Sequence, residues 1–205
     1  MTHTIKAVCF DFGGVIELYP PGNIFRFIAE LFNISEDDYK QEYYKHNHLT
    51  NVGNQKLEDV FIKTAFTFNI NKETADKARS IIQDRITNKR LNTELLSWFP
   101  RLKQQGFSVG ILSNAPASVK EQWEAKGIYD MVDTVVISGE TGFQKPDKEA
   151  FAVLFKQLGV LPHETIFIDD TEKSLEKANE IGYHPILFTD NKQLKKELQN
   201  FGIEL

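Results

Sequence analysis

The stretch "VCFDFGGVIE" (residues 8–17) runs a continuously apolar segment into a single carboxylate, Asp11, followed by Phe12 and two glycines. An apolar run without polar alternation reads as a parallel strand covered on both faces. The pattern recurs along the chain. "IKAVCF" (5–10), "FSVGIL" (107–112), "TVVIS" (134–138), "TIFI" (165–168) and "HPILF" (184–188) are five short strands, each ending in polar or glycine-rich chain. Helices fall between them. "NTELLSWFPRLKQQG" sets Leu95, Trp98, Phe99 and Leu102 on one face and stops at Gly106, with Pro100 as a local conflict. "DKEAFAVLFKQLG" starts on Asp147 as N-cap and stops at Gly159, and "EKSLEKANEIG" stops at Gly182. Alternating strands and helices predict an α/β fold, a Rossmann-like parallel sheet with helices on both faces.

One segment breaks the alternation. A crossover between parallel strands needs a dozen or so residues, yet roughly 75 separate the first strand from the next helix–strand unit. Helical spacing recurs there instead, with Ile24, Phe27, Ile28 and Leu31, then Leu57, Val60, Phe61, Thr64 and Phe68, then Ala75, Ala78, Ile82 and Ile86. The expected organisation is a core of residues 1–15 and 91–205 carrying an all-α insert over 16–90.

The chain of 205 residues is 41% hydrophobic and 26% charged, ordinary for a globular protein. A net charge of −5 argues against a nucleic-acid surface. No apolar stretch reaches the ~18 residues of a membrane span, and the first ten residues lack a signal-peptide layout. The single cysteine, Cys9, fits a reducing compartment. The expectation is a cytoplasmic protein, monomer or homodimer, with no membrane and no nucleic-acid partner.

In open parallel sheets, ligands bind at the carboxyl ends of the strands. Asp11, Gly13 and Gly14 follow the first strand, Ser113 and Asn114 the second, Lys145 (in "GFQKPD") the third, and Asp169 with Asp170 the fourth. Singly, each is an ordinary cap or turn. Together, a carboxylate nucleophile, a hydroxyl, an amide, a lysine and an acidic pair suit a phosphoryl group with a divalent metal. The glycine turn would bring the Gly13 carbonyl to that metal and backbone N–H groups to phosphate.

In order and spacing, "VCFDFGGV", "GILSNA", "GFQKPD" and "IFIDDTEKSLEKANEIG" resemble the four motifs of the haloacid dehalogenase superfamily of aspartate-nucleophile hydrolases, over essentially the whole chain. The helical insert resembles that family's small cap domain. The resemblance implies a Mg²⁺-dependent phosphatase acting on small phosphorylated metabolites, sugar phosphates among them, through an aspartyl-phosphate. It makes Asp11 the nucleophile, and Ser113 and Lys145 catalytic phosphate holders beside Gly13, Gly14 and Asn114. The metal falls to Asp11, Gly13, Asp169 and Asp170, with Asp170 direct and Asp169 supporting. Receiver domains use a similar kit in the opposite order, with the acidic pair first.

Most phosphatases of that family read Asp-x-Asp-Gly-Thr, with the second Asp as general acid/base. Here Gly13 and Val15 replace the Asp and Thr, and Ser174 stands where Asn or Asp is frequent. The chain resembles the Asp-x-Gly-x-Val branch, which includes sugar-1-phosphate phosphatases. A missing acid biases an enzyme toward leaving groups that need little protonation; a general acid contributes ~10²- to 10⁴-fold. A metal-free dehalogenase-like hydrolase and a non-catalytic phosphate-binding regulator are the alternatives. Within the insert, "YYKHNHLTNVGN" (43–54) is the substrate-facing candidate through Tyr43, His46, His48 and Asn51. His46, His48 and Glu17 are candidate replacements for the absent acid.

Overall fold

The computed structural model describes residues 4–53 and 55–205. Met1, Thr2, His3 and Asn54, at the edges of two sequence readings, lie outside the described residues. In chain order the elements are β1 (Ala7–Phe10), β2 (Glu17–Leu18), α1 (Ile24–Phe32), α2 (Glu36–His46), α3 (His48–Asn51), α4 (Leu57–Thr67), α5 (Lys72–Thr87) and β3 (Arg90–Leu91). They continue with α6 (Thr93–Gln104), β4 (Ser108–Ser113), α7 (Lys120–Ala125), α8 (Ile128–Met131), β5 (Thr134–Ile137), α9 (Ser138–Thr141) and α10 (Lys148–Leu158). The chain ends with β6 (Thr165–Asp169), α11 (Glu172–Leu175), α12 (Ala178–Ile181), β7 (His184–Leu187) and α13 (Asn191–Asn200).

All five expected core strands form, paired in parallel in the order β5-β4-β1-β6-β7. β1 is central, and its side chains alternate between faces. Val8 and Phe10 join the cluster of Leu95, Phe99, Leu102, Leu194 and Leu198 under α6 and α13. Ala7 and Cys9 join Phe151, Leu154, Phe167 and Tyr183 on the α10 side. Both faces are covered, which explains the unbroken apolar runs. Pro100 sits inside α6 without ending it; one backbone donor is lost, while Leu95, Trp98, Phe99 and Leu102 are buried as their spacing predicts. The pattern ending at Gly182 is not one helix, because Lys177 (φ −97°, ψ 10°) separates α11 from α12.

The five helices α1–α5 pack around a hydrophobic cluster of their own that includes Ile28, Tyr39, Tyr43, Val60, Phe61, Ala78 and Ile82. Phe27, which helical spacing puts on the apolar face of α1, is exposed instead. α2 has no apolar stripe to advertise it. It is held by its Ser35 cap, three acids in its first turn and two inward tyrosines, Tyr39 and Tyr43. The Tyr39 hydroxyl donates to the Phe61 carbonyl, and the Phe61 ring lies 4.6 Å from that of Tyr43.

The insert leaves and rejoins the core through the antiparallel ribbon of β2 and β3. Its exit is tied down by Arg85, whose guanidinium donates to the carbonyls of Pro20, Pro21 and Gly22 at 2.6, 3.1 and 2.7 Å. No helix among the described residues is long and apolar enough to cross a membrane. Because Phe61 joins three helices of the insert, Phe61→Ala is expected to cost roughly 3–5 kcal/mol, measured by urea denaturation.

Candidate active site

β1 ends at Phe10, which is in register with Ile111 of β4 and Ile168 of β6. The next residues of the central strands therefore reach one rim together, where the strand order reverses about β1. The Asp11 N–H donates to the Ile168 carbonyl, which fixes the strand end. Carboxylate oxygens of Asp11, Asp169 and Asp170 lie within 4.8 Å of one another.

Lys145 reaches this rim from the loop before α10 and is buried. Its ammonium contacts Asp11 Oδ1 at 2.9 Å and Asp169 Oδ2 at 2.5 Å, and stands 5.2 Å from the centre of the Phe167 ring. Burial works against the charge on Lys145, but the Asp11 and Asp169 carboxylates outweigh it and hold its pKa above the ordinary lysine value. Asp11 Oδ1 also accepts the Phe12 N–H at 2.7 Å. Asp169 Oδ1 accepts the Thr171 N–H at 2.8 Å.

Burial pushes the Asp11 carboxyl up to about 7; Lys145 opposes the shift, and Asp169 and Asp170 add to it. Asp170 rises to about 6, mainly through burial and then through Asp169. Three crowded carboxylates and one ammonium leave a surplus of negative charge, felt in the raised pKa values of Asp11 and Asp170. All-oxygen donors under that stress suit a hard divalent cation.

The glycine turn has two separate jobs. Gly14 has φ +81°, and a Cβ there would lie 2.1 Å from Asp170 Oδ2, so only glycine lets the turn and the carboxylate approach. Its N–H donates to the Glu17 carbonyl at 2.9 Å. This bond closes the turn. Gly13 stands beside Asp11, and a Cβ on it would meet the Tyr19 hydroxyl at 3.4 Å.

Ser113 is buried at the end of β4. The Asn114 amide departs from its expected role. Its Nδ2 donates to the Lys145 carbonyl at 2.9 Å and its Oδ1 accepts the Lys145 N–H at 2.8 Å. Both ends of the side chain are spent clamping the lysine's backbone rather than facing phosphate.

The insert residues are placed unequally. Asn51 meets the core: its Nδ2 donates to Gln144 Oε1 at 3.0 Å, and its carbonyl accepts the Ser138 hydroxyl at 2.5 Å. Tyr43 is buried in the insert's cluster, its pKa raised by burial and then by Tyr19. Tyr44, not singled out in the sequence, packs against Phe25 and Tyr43, and burial raises its phenol pKa, opposed by Lys40 and reinforced by Asp170 and Asp169. His46 Nε2 lies 3.3 Å from Glu42 Oε1 on the same helix. His48 opens α3 and is exposed. The Glu17 carboxylate is paired with Lys126 at 2.5 Å and Lys89 at 3.3 Å.

Tyr19 is the residue that sequence reasoning missed. It follows β2, its ring carries the Lys89 ammonium 4.8 Å from its centre, and it is 38% exposed. Desolvation raises its pKa, Lys89 opposes the shift, and Asp11, Asp170 and Glu17 reinforce it.

Known proteins resemble this chain in sequence and in fold. A D-ribitol-5-phosphate phosphatase of Bacteroides thetaiotaomicron is 24% identical over 216 residues, covering 95% of this chain and 97% of its own length. The porcine bifunctional epoxide hydrolase 2 is 27% identical over 154 residues, 72% of this chain but 26% of its own length. The chain thus spans about a quarter of that relative, and 57% and 44% of a sesquiterpene phosphatase from Aspergillus oryzae and a glyceraldehyde 3-phosphate phosphatase from Methanopyrus kandleri. A Bacteroides thetaiotaomicron family enzyme solved in complex with magnesium and inorganic phosphate shares the fold at a TM-score of 0.57 and 20% identity. It covers 93% of this chain and 98% of its own. The model of the haloacid dehalogenase-like hydrolases matches residues 8–188, from the start of the central strand to just past the last, and this chain belongs to that family.

Proposed function

We propose that this hydrolase is a Mg²⁺-dependent phosphatase that cleaves small phosphate monoesters, sugar or polyol phosphates among them, through an aspartyl-phosphate on Asp11. The observation that carries the reading is the buried Asp11–Lys145–Asp169 set with Asp170 beside it on one rim. Relatives named for D-ribitol 5-phosphate and glyceraldehyde 3-phosphate support the substrate class.

Asp11 Oδ1 is held by Lys145 and the Phe12 N–H, which leaves Oδ2 as the attacking atom. Lys145 then carries charge from Asp11 to the phosphoryl oxygens as the Asp11–phosphorus bond forms. Ser113, at the neighbouring strand end, and the Gly13 N–H are the further phosphate contacts. Asp11, Asp170 and the Gly13 carbonyl hold the cation, and Asp169 keeps Lys145 in line. When bound, Mg²⁺ supplies charge neutralisation for the phosphoryl group. The insert over residues 16–90 acts as a cap that selects substrate, with Asn51 docking it beside Lys145. The Asp-x-Gly-x-Val form of the first motif makes aryl and anomeric phosphates better substrates than alkyl ones.

A screen of sugar, polyol, nucleotide and aryl phosphates, with Mg²⁺ and with EDTA, tests this reading. Turnover is expected with Mg²⁺ only, falling to background in Asp11→Asn. Activity undiminished in EDTA, or surviving in Asp11→Asn, overturns it.

A second prediction follows from the raised carboxyl pKa values. Between about pH 4 and 7 the native metal-free protein keeps protons on Asp11 and Asp170 that the unfolded chain has lost. The stability these two groups contribute therefore falls as pH rises through that window. Cation binding needs both groups deprotonated and relieves their repulsion. Added Mg²⁺ is expected to raise the melting temperature more at about pH 7.5 than at about pH 5, and Asp170→Asn should shrink that difference. A scanning-calorimetry gain equal at both pH values contradicts the assignment.

A further inference from the structure

Position 13 has no side chain, yet the space beyond it is filled. A Cβ built on Gly13 would lie 3.4 Å from the Tyr19 hydroxyl oxygen and 3.8 Å from Cε2 of its ring. The phenolic oxygen therefore lies in van der Waals contact with the place where a side chain at this position would begin, two residues along the chain from the nucleophile. Among the described residues this hydroxyl has no hydrogen-bond partner, and the ring is partly open to solvent. It has a donor to give.

The phenol is also held in place from three sides. β2 pairs Leu18 with Arg90 one residue earlier. Arg85 ties the carbonyls of Pro20, Pro21 and Gly22 directly after it. The Lys89 ammonium sits over the ring. Lys89 is in turn anchored by Glu17, which is why the cation stays over the ring. A side chain braced in this way loses little freedom when substrate arrives.

We propose that Tyr19 is the hydrogen-bond donor to the leaving-group oxygen, taking the place left vacant by Gly13. The role rests on the phosphatase reading above. As Asp11 Oδ2 bonds to phosphorus, the bridging P–O bond breaks and its electron pair moves onto the leaving oxygen. The Tyr19 O–H donates to that oxygen and keeps its proton, and the departing oxyanion takes a proton from water. A phenol, with an ordinary pKa of about 10, is a protonated donor throughout the neutral range. It stabilises developing charge without delivering a proton, so it softens the preference for good leaving groups without abolishing it.

The test compares kcat/KM of wild type and Tyr19→Phe on p-nitrophenyl phosphate and on glycerol phosphate with Mg²⁺, using Asp11→Asn as the blank. The expected result is a loss on the order of 10²-fold on the alkyl ester with the aryl ester nearly unchanged, which steepens the leaving-group dependence. A role confined to structure would lower both substrates together, and that outcome, like no loss on either, overturns the assignment. Tyr19 is partly exposed and Phe preserves its ring, so thermal melting should match wild type; a lowered melting temperature with equal losses also counts against it. Wild-type activity that persists in Asp11→Asn would instead sink the phosphatase reading, and this inference with it.

Discussion

A buried ammonium shared by two buried carboxylates is the constraint around which the rest of this protein is arranged. Placing Lys145 inside costs several kcal/mol of lost hydration, recovered only if Asp11 and Asp169 stay within contact distance. Those two residues come from neighbouring strands, whose register puts both at the same level of the rim. Lys145 arrives from a loop, so its backbone is fixed separately by both ends of the Asn114 amide. One ammonium does not balance three carboxylates. The remainder is felt in the raised pKa values of Asp11 and Asp170, an electrostatic demand that a divalent cation could answer.

The helical insert joins the same framework instead of hanging from it. Asn51 reaches Gln144, the residue before Lys145, and Ser138 at the end of β5. Glu17 binds lysines from both units, Lys89 from the insert's return and Lys126 from the core. The insert and the buried Lys145 are therefore positioned by a connected set of contacts.

How much of this was legible in the sequence depended on how each feature is encoded. The five parallel strands were plain because burial on both faces makes them uninterrupted apolar words, and the rim residues were plain because they end those words. α2 was not, since a helix with mostly charged residues and two inward tyrosines has no stripe to detect. Phe27 misled in the opposite direction, an aromatic at core spacing that faces outward. The Asn114 side chain clamps the Lys145 backbone, a use that composition cannot announce. Tyr19 carried no motif or periodicity. Its closeness to Gly13 appears only in the folded chain, and the nearest signal was the Pro-Pro-Gly that follows it.

Gly14 and Asp170 stand near opposite ends of the chain, yet the turn leaves no room for even one methyl between them. They therefore share a single volume, and mutational effects at the two sites will not add. Drift at one position is felt as a displaced ligand at the other. The first and last motifs are thus coupled by packing as well as by chemistry, and a chimera that took its first motif from one relative and its last from another would have to match them as a pair.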